Sequence, residues 1–438
     1  MEIDKTTLDD LSIFTQEESF SVLHKIDFTL TSNGKEQLKA ALSTPLKDIH
    51  QIQGVQQTLL HITDKIDQWP TQISNGTIKV LEKLYESAID PIPPHVNSFN
   101  AASYTLLHKS DFLLVQYSMT HCFDFLKGND ALVNLLLKDN CPTPLKNLLV
   151  EIDTILNQKE LAIVYKKEKS STLSVTESLQ LGHFILYRFK YNMSRLIQIH
   201  AKLDAWYSMA VAVKKLDLHF PSFIETTEPF IEAQGLYHIL LTHPIDYDVC
   251  LNKDTNFLFL TGANMAGKST FIKSVGAAVF LAHTGMGIPA KKMTLCLFDG
   301  MLSNINVADN IVKGESYFFN EVQRIKSTIY KINDGRKWLI LIDELFKGTN
   351  MQDAMKCSSL VIEGFLKIKK SIFILSTHLY EIGDALKIHA NIQFNYFETG
   401  VLNDQLSFSY RLKEGISNDR LGYLILKKEG VVKLLEDL

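Results

Sequence analysis

The sequence has the length and composition of an ordinary globular protein with two or three domains. It contains 438 residues, of which 46% are hydrophobic and 21% are charged. The formal net charge of −4 provides no overall attraction to nucleic acid, so contact with a polyanion would require a local basic patch. Five scattered cysteines without a CxxC pair argue against a disulfide framework and against a zinc site.

The polar start of the chain does not resemble a secretory signal, and no run approaches the ~20 apolar residues that cross a bilayer. We therefore expect a cytoplasmic protein without a membrane partner. Apolar residues recur at intervals of three and four over 20–30, 34–42 and 49–62, which predicts a mostly helical first half. The stretch 178–216 is long enough for one helix of more than ten turns. The polar, lysine-rich segment 164–179 is typical of an exposed connection between two long helices.

After residue 221 the pattern changes to short apolar runs that alternate with helical stretches. This alternation predicts a mainly parallel sheet covered by helices. The predicted strands are 257–261, 338–342 and 371–376, followed by a hairpin of 392–398 and 405–412 around a turn at 400–404. We expect a multidomain α plus α/β fold, with a helical domain over 1–220 and a sheet domain over 221–438.

The segment that follows the first predicted strand has the pattern G-x-x-x-x-G-K-S and precedes a helical run. This is the setting that a phosphate-binding loop requires. Its glycines let successive backbone N–H groups point at phosphate oxygens, Lys268 is placed to reach the β- and γ-phosphates, and the Ser269 hydroxyl is placed to bind Mg²⁺. We predict ATP and Mg²⁺ as cofactors. The predicted binding residues are Gly262, Ala263, Asn264, Met265, Ala266, Gly267, Lys268, Ser269 and Thr270.

Two carboxylates end the apolar run WLILIDE, at the edge where ligands bind in parallel sheets. Asp343 is placed to hold Mg²⁺, and Glu344 to orient and polarise the attacking water. His378 ends the run SIFILSTH and could contact the γ-phosphate or the water, although histidines at strand tips are more often ordinary surface residues. Gly314 and Ser316 lie in a polar loop before an amphipathic helix, where Ser316 could also be a plain helix cap.

Four elements, TGANMAGKST, DNIVKGESYFFNEV, LIDELFKGTN and STH, resemble in order and spacing the ATPase domain of the MutS family of mismatch-repair proteins. The resemblance covers roughly residues 243–428. The opening segment, IDKTTLDDL and the residues that follow it, is similar to the start of the family's helical core and lever domain. The resemblance implies an ATP hydrolase in which Lys268, Ser269, Asp343 and Glu344 have the roles described above.

The resemblance also implies roles that one chain alone does not suggest. Asn264 corresponds to the family's loop asparagine and His378 to a histidine near the γ-phosphate. Ser316 corresponds to a serine that reaches the nucleotide of the other subunit in a homodimer, in the manner of ABC-type ATPases. Residues 348–349 resemble a loop that crosses the same interface, and Asn252 lies roughly where the family contacts the adenine.

The sequence also departs from the family. It starts at the helical core, so nothing in it corresponds to the mismatch-recognition and connector domains. The helical region from about 110 to 220 is short for a full lever, which implies a reduced clamp near 160–180. We therefore expect a dimeric ATPase that drives a clamp on double-stranded or branched DNA, in repair or recombination, without true mismatch reading.

The helical half contains basic residues that could contact phosphates without reading sequence. They are Lys166, Lys167, Lys169, Arg188, Lys190, Arg195 and Lys202. They could equally form an ordinary solvated face. The alternative function is therefore an ABC-like ATPase whose helical arms act on a protein partner. DNA should change ATP turnover under the first hypothesis and leave it unchanged under the second.

Overall fold

The structure is a computed structural model, and it describes residues 1–15, 17–306, 317–402, 405–417 and 430–436. The chain forms two compact units. The helical unit consists of Ile26–Ser43 and Gln53–Lys215, and the sheet unit consists of Met1–Lys25, Thr44–Ile52 and Leu216–Leu438. The division expected at residue 220 lies close to the last boundary, but the sheet unit also takes up the first 25 residues of the chain and a short segment near residue 50.

The helices and strands are labelled in chain order. The helices are α1 (Lys5–Asp10), α2 (Val22–Ile26), α3 (Ser32–Ser43), α4 (Ile49–Thr63), α5 (Asn75–Glu86), α6 (Ser98–Leu107), α7 (Lys109–Leu136), α8 (Thr143–Leu156), α9 (Ala162–Lys166), α10 (Val175–His183), α11 (Lys190–Lys215), α12 (Lys268–His283), α13 (Tyr317–Ile332), α14 (Met351–Phe365), α15 (Glu381–Leu386) and α16 (Val431–Glu436). The strands are β1 (Glu2–Ile3), β2 (Ser222–Ile224), β3 (Ile231–Leu236), β4 (Tyr247–Leu251), β5 (Phe257–Thr261), β6 (Lys292–Cys296), β7 (Gly300–Asn304), β8 (Trp338–Asp343), β9 (Ile372–Ser376), β10 (Ile392–Leu402) and β11 (Gln405–Glu414).

A seven-stranded sheet forms the centre of the sheet unit, in the order β1-β7-β8-β9-β5-β10-β11. All neighbouring strands run parallel except the β10–β11 hairpin. Every residue of β5, β8 and β9 is buried, as in strands that have both faces covered. The predicted strands and hairpin are confirmed, but the turn was placed too early, because residues 400–402 continue β10 and pair with β11. Residues 403–404 lie outside the described residues. A smaller mixed sheet has the order β2-β6-β3-β4.

The order of the strands decides which loops meet. Strands β8, β9 and β5 are adjacent and parallel, so their carboxyl ends lie together at one edge of the sheet. The glycine-rich segment follows β5, Glu344 follows β8, and His378 lies two residues beyond β9. Within the described part of the chain, no helix combines the length and the apolar character that crossing a bilayer requires.

The helical unit differs from the sequence prediction in two places. The helix expected over 178–216 is interrupted, because a π-helical turn at Phe184–Arg188 separates α10 from α11. The connection expected over 164–179 contains the first turns of α10. That helix starts early because Ser174 and Glu177 form a capping box, in which each side chain binds the other residue's backbone N–H.

Asp204 of α11 fixes the chain segment that enters α3. Its carboxylate accepts hydrogen bonds from Leu30 N at 2.9 Å, from Thr31 N at 2.8 Å and from Thr31 Oγ1 at 2.6 Å. The Asp204 side chain is buried, and burial raises its pKa, although these hydrogen bonds act in the opposite direction. A Cβ at Gly34 would lie 2.1 Å from Asp204 Oδ2, so the close approach of α3 to α11 requires glycine.

We predict that Asp204→Ala destabilises the protein, because it leaves three donors without their acceptor. The expected loss in the free energy of unfolding is about 3 kcal/mol. Asp64→Ala, at an exposed position of the same unit, should change it by less than about 0.5 kcal/mol. Urea unfolding followed by circular dichroism measures both values. Equal stability of the two variants would contradict the role assigned to Asp204.

Because the His200 imidazole on α11 is buried, we predict that the stability of the helical unit depends on pH. Burial lowers its pKa from 6.5 to about 4, so the unfolded chain binds its proton at higher pH than the native chain does. Stability is therefore complete above pH 6.5 and falls as the pH drops toward 4, by about 3 kcal/mol in total. His200→Leu should remove this loss, whereas His95→Leu, at an exposed position, should keep it. Urea unfolding on both sides of this pH window tests the difference.

Candidate functional site

A tight glycine-rich loop, residues 262–267, connects β5 to α12. Gly262 has a φ of 139° and Gly267 a φ of 113°, which are angles that side-chain-bearing residues rarely adopt. A Cβ at Gly262 would also lie 3.2 Å from the backbone oxygen of Phe397 on β10. Met265 has a φ of 66°, so the loop also contains one non-glycine residue in the left-handed region. The two glycines therefore allow a curl that brings successive backbone N–H groups toward the start of α12.

Lys268 is the first residue of α12, and its amine lies within the curl of this loop. Its Nζ donates hydrogen bonds to the carbonyl oxygens of Gly262 at 2.8 Å and Ala263 at 3.0 Å. Burial lowers the pKa of Lys268, whereas the carboxylates of Glu344 and Asp343 raise it. The loop, the lysine and the two carboxylates thus lie close enough for their charges to interact.

Asp343 at the end of β8 joins the glycine-rich loop to two strands. Its Oδ2 accepts a hydrogen bond from Ser269 Oγ at 2.5 Å, and its Oδ1 accepts one from Ser376 Oγ at the end of β9. Hydroxyl and carboxylate oxygens are the ligands that Mg²⁺ prefers, and proteins often supply only one or two of them beside phosphates and water. Ser269 and Asp343 therefore fit a magnesium site that the nucleotide would complete.

Glu344 lies directly beyond the end of β8, with both carboxylate oxygens in contact with basic side chains. His378 Nε2 lies 2.5 Å from Oε1, and Lys347 Nζ lies 3.3 Å from Oε2. The Glu344 backbone has a φ of 65°, and its N–H donates to Ser376 O at 3.0 Å. Burial would raise the pKa of Glu344, but His378 and then Lys347 outweigh it and lower the pKa to about 2. Glu344 is therefore ionised at neutral pH.

A cavity of about 500 Å³ extends from the glycine-rich loop along the side of the sheet unit. Asn264, Gly267, Lys268, Ser269, Thr270 and Glu344 line it at the loop end, together with Met265. Side chains with apolar or aromatic parts line the remainder, namely Leu241, His243, Ile245, Tyr247 and Tyr410. The cavity is thus lined both by polar groups suited to an anion and by an aromatic wall, and the Tyr410 ring of that wall lies beside the loop, 3.5 Å from a Cβ placed at Gly267.

The aromatic wall of the cavity was not predicted from the sequence, because its residues come from distant segments of the chain. Tyr247 is on β4 of the smaller sheet, and Tyr410 is on β11 of the hairpin. Contacts with Phe271 at 5.4 Å and Phe397 at 5.7 Å between ring centroids fix the Tyr247 ring. The single available signal was position, since the segment that includes Tyr247 lies between the start of the family resemblance and the glycine-rich loop.

The structure brings most of the predicted site residues together, but not all of them. Asn252 does not line the cavity, and its Oδ1 accepts hydrogen bonds from Asp254 N at 2.9 Å and Thr255 N at 3.2 Å in the turn after β4. Ala263 and Ala266 are buried within the loop and do not line the cavity either. Gly262, Asp343 and His378 are also outside its lining, but Asp343 contacts Ser269 and His378 contacts Glu344, which do line it. The predicted Gly314 and Ser316 lie outside the described residues.

Several of the basic residues predicted to contact phosphates already have partners within the helical unit. Arg195 forms two hydrogen bonds with Glu151, at 2.6 Å and 2.8 Å. The other partnered cations are Lys167, which pairs with Glu177, Lys190, which lies over the Tyr85 ring, and Lys202, which lies over the Trp206 ring. Lys166, Lys169 and Arg188 are exposed. Lys190 and Lys202 are exposed as well, although each lies over an aromatic ring.

Comparison with known proteins finds similarity over part of the chain. The family profile described as MutS domain V matches residues 258–434, which include the glycine-rich loop, Asp343, Glu344 and His378. Proteins named "DNA mismatch repair protein MutS" are similar to a longer part of the chain. The one from Petrotoga mobilis (strain DSM 10674 / SJ95) is 27% identical over 264 residues, and the one from Geobacillus sp. (strain WCH70) is 28% identical over 268 residues.

Both alignments cover 59% of this chain. They cover 32% of the Petrotoga protein and 30% of the Geobacillus protein. The chain therefore spans about a third of the length of these curated relatives.

Proposed function

We propose that this chain, which matches the MutS domain V profile over residues 258–434 and is similar to MutS proteins over 59% of its length, is a MutS-family protein whose sheet unit binds and hydrolyses ATP. One observation carries the proposal. The hydroxyl of Ser269, which follows the glycine-rich loop, bonds to the Asp343 carboxylate at the end of β8, with Lys268 and Glu344 beside them. This set supplies a phosphate cradle, a cation for the phosphates, oxygens for Mg²⁺ and an ionised carboxylate in one cavity.

We propose that ATP lies along the cavity with its phosphates at the glycine-rich loop. The N-terminus of α12 and the Lys268 ammonium favour negative charge at that end. The adenine then packs against the aromatic wall, where the exposed ring of Tyr410 is available for stacking. Asn252 is not assigned to the adenine in this proposal, because its side chain is engaged in the turn after β4.

In the proposed reaction Glu344 positions the attacking water. Its low pKa keeps it a hydrogen-bond acceptor throughout the neutral pH range, so its main contribution is to orient the water and to stabilise charge on it. His378 contacts one oxygen of this carboxylate, and we propose that it also interacts with the γ-phosphate. Ser269 and Asp343 would hold Mg²⁺, which would supply positive charge beside the bound phosphates.

We further propose that the reaction occurs in a homodimer and drives a clamp on double-stranded or branched DNA, in DNA repair or recombination. The two relatives are named as DNA mismatch repair proteins, which supports a role in DNA repair. Ser316 is proposed to reach the nucleotide of the partner subunit. The exposed Lys166, Lys169 and Arg188 of the helical unit are the proposed phosphate contacts.

The replacement Glu344→Gln should leave ATP bound and nearly abolish hydrolysis. The amide keeps the size of the side chain but lacks the charge that orients water, and we expect turnover to fall by a factor of ~100 or more. Phosphate release measures turnover, and a fluorescent ATP analogue measures binding. Glu363→Gln, an exposed position on α14, is the matched control and should behave as the wild type. Persistent hydrolysis in Glu344→Gln would refute the role of this residue.

DNA should change the turnover rate if the helical unit is a DNA clamp. The measurement is ATPase rate and DNA affinity with homoduplex, mismatched and branched DNA, and we expect no preference for the mismatch. Replacing Lys166 and Lys169 by serine should weaken binding and reduce its dependence on salt, because fewer phosphates are neutralised. Lys138→Ser, an exposed lysine of the same unit, is the control. Unchanged turnover with every DNA at low salt would favour a protein partner instead.

A further inference from the structure

A buried carboxylate on α13 faces the turn that follows Glu344. Glu321 is 1% exposed, with Oε1 at 3.4 Å from Lys347 N and Oε2 at 3.5 Å from Gly348 N. Both distances are long for hydrogen bonds, so the main attraction is that of a buried negative charge for two N–H dipoles. A buried charge is stable only if protein groups replace the hydrogen bonds that water made to it. Glu321 finds them in the backbone of one turn.

The same contact affects the pKa of Glu321. Burial raises its pKa, whereas the backbone N–H groups of Lys347, Gly348 and Phe346 and the charge of Lys347 act to lower it. The consecutive N–H groups of Lys347 and Gly348 are directed at the two oxygens of one carboxylate, an arrangement similar to the backbone concavities that bind phosphates elsewhere. Here the anion is a side chain of the same chain. The turn is therefore shaped around the Glu321 carboxylate.

This turn needs support, because its backbone is unusual. Glu344 has a φ of 65° and Phe346 a φ of 60°, and such angles in non-glycine residues persist only where the surroundings fix them. Phe346 is buried, and its ring centroid lies 5.7 Å from that of Phe318 on α13. Helix α13 thus holds the turn in two ways, through the Phe318 ring and through the Glu321 carboxylate.

The conformation of residues 344–348 determines the direction of the Glu344 carboxylate. Lys347 receives the Glu321 contact at its backbone and places its Nζ 3.3 Å from Glu344 Oε2. His378 contacts the other oxygen, from the end of β9. A continuous series of contacts therefore runs from α13 through the turn to the carboxylate that is proposed to orient water.

We propose that Glu321 is a positioning residue for ATP hydrolysis. It fixes the turn at 344–348 and thereby aims the Glu344 carboxylate, without lining the nucleotide cavity. The proposal rests on the ATP hydrolysis proposed above and extends it, because it makes turnover sensitive to the position of α13. A substitution at Glu321 should accordingly change the rate of the chemical step and not the affinity for ATP.

The test compares Glu321→Ala and Glu321→Gln with the exposed control Glu363→Gln. For Glu321→Ala we expect kcat to fall by a factor of ~10–100, the range typical of residues that orient catalytic groups. KM and the affinity for a fluorescent ATP analogue should change by less than about twofold. Glu321→Gln keeps one oxygen acceptor and loses the charge, so its kcat should lie between those of the alanine variant and the wild type. Glu363→Gln should match the wild type.

A double-mutant cycle separates positioning from a general loss of structure. If Glu321 acts through Lys347, the effects of Glu321→Gln and Lys347→Met on kcat should not multiply in the double variant, because both interrupt one series of contacts. Fully multiplicative effects would overturn the proposal. If Glu321→Ala does not fold, Glu321→Gln decides, and a wild-type kcat in that variant overturns the proposal.

The failure of this inference differs from the failure of the proposed function. If the wild-type protein hydrolyses ATP and Glu344→Gln does not, unchanged rates in both Glu321 variants would overturn the positioning role alone. If the wild-type protein does not hydrolyse ATP, both proposals are wrong.

Discussion

The contact on which the site depends is the pair of hydrogen bonds to the Asp343 carboxylate. One oxygen accepts from Ser269, at the start of α12, and the other from Ser376, at the end of β9. Asp343 itself ends β8, so a single buried side chain joins three elements at one edge of the sheet. These hydrogen bonds tie the start of α12, directly after the glycine-rich loop, to the ends of β8 and β9. They help to fix the position of the loop relative to Glu344.

Charge sets the chemistry at the same edge of the sheet. Lys268 lies close enough to Asp343 and Glu344 to interact with both carboxylates, and Lys347 and His378 contact Glu344. The contacts with His378 and Lys347 lower the pKa of Glu344 although burial acts to raise it. The low pKa of Glu344 therefore makes it a fixed anion that can hold a water molecule, at the cost of weak basicity. An ionised but weakly basic carboxylate suits a reaction in which positioning and electrostatic stabilisation contribute more than proton removal does.

Much of the sheet and of the loop could be predicted from sequence, because both depend on short-range patterns. Buried parallel strands appear as apolar runs, and the glycine-rich loop has a fixed spacing. The aromatic wall of the cavity could not be found in this way, because Tyr247 and Tyr410 are far apart in the chain. The fold brings both of them to the lining of one cavity. Glu321 was missed for a related reason. On an amphipathic helix one glutamate looks like surface, and only the fold turns it toward the backbone of another segment.

The helical half shows the opposite balance between local and distant signals. Its helices were recognisable, but the break at Phe184–Arg188 depends on how the hydrogen bonds register within one continuous periodic stretch, which periodicity does not report. The arrangement around Asp204 likewise requires Gly34, and no pattern links residues that far apart.

The chain crosses between the helical and sheet units after residues 25, 43, 52 and 215. Each unit is therefore built from segments distant in sequence, so neither corresponds to one continuous half of the chain. A division of the chain by composition alone finds the last of these crossings and passes over the first three, because short segments carry too little pattern to mark a boundary.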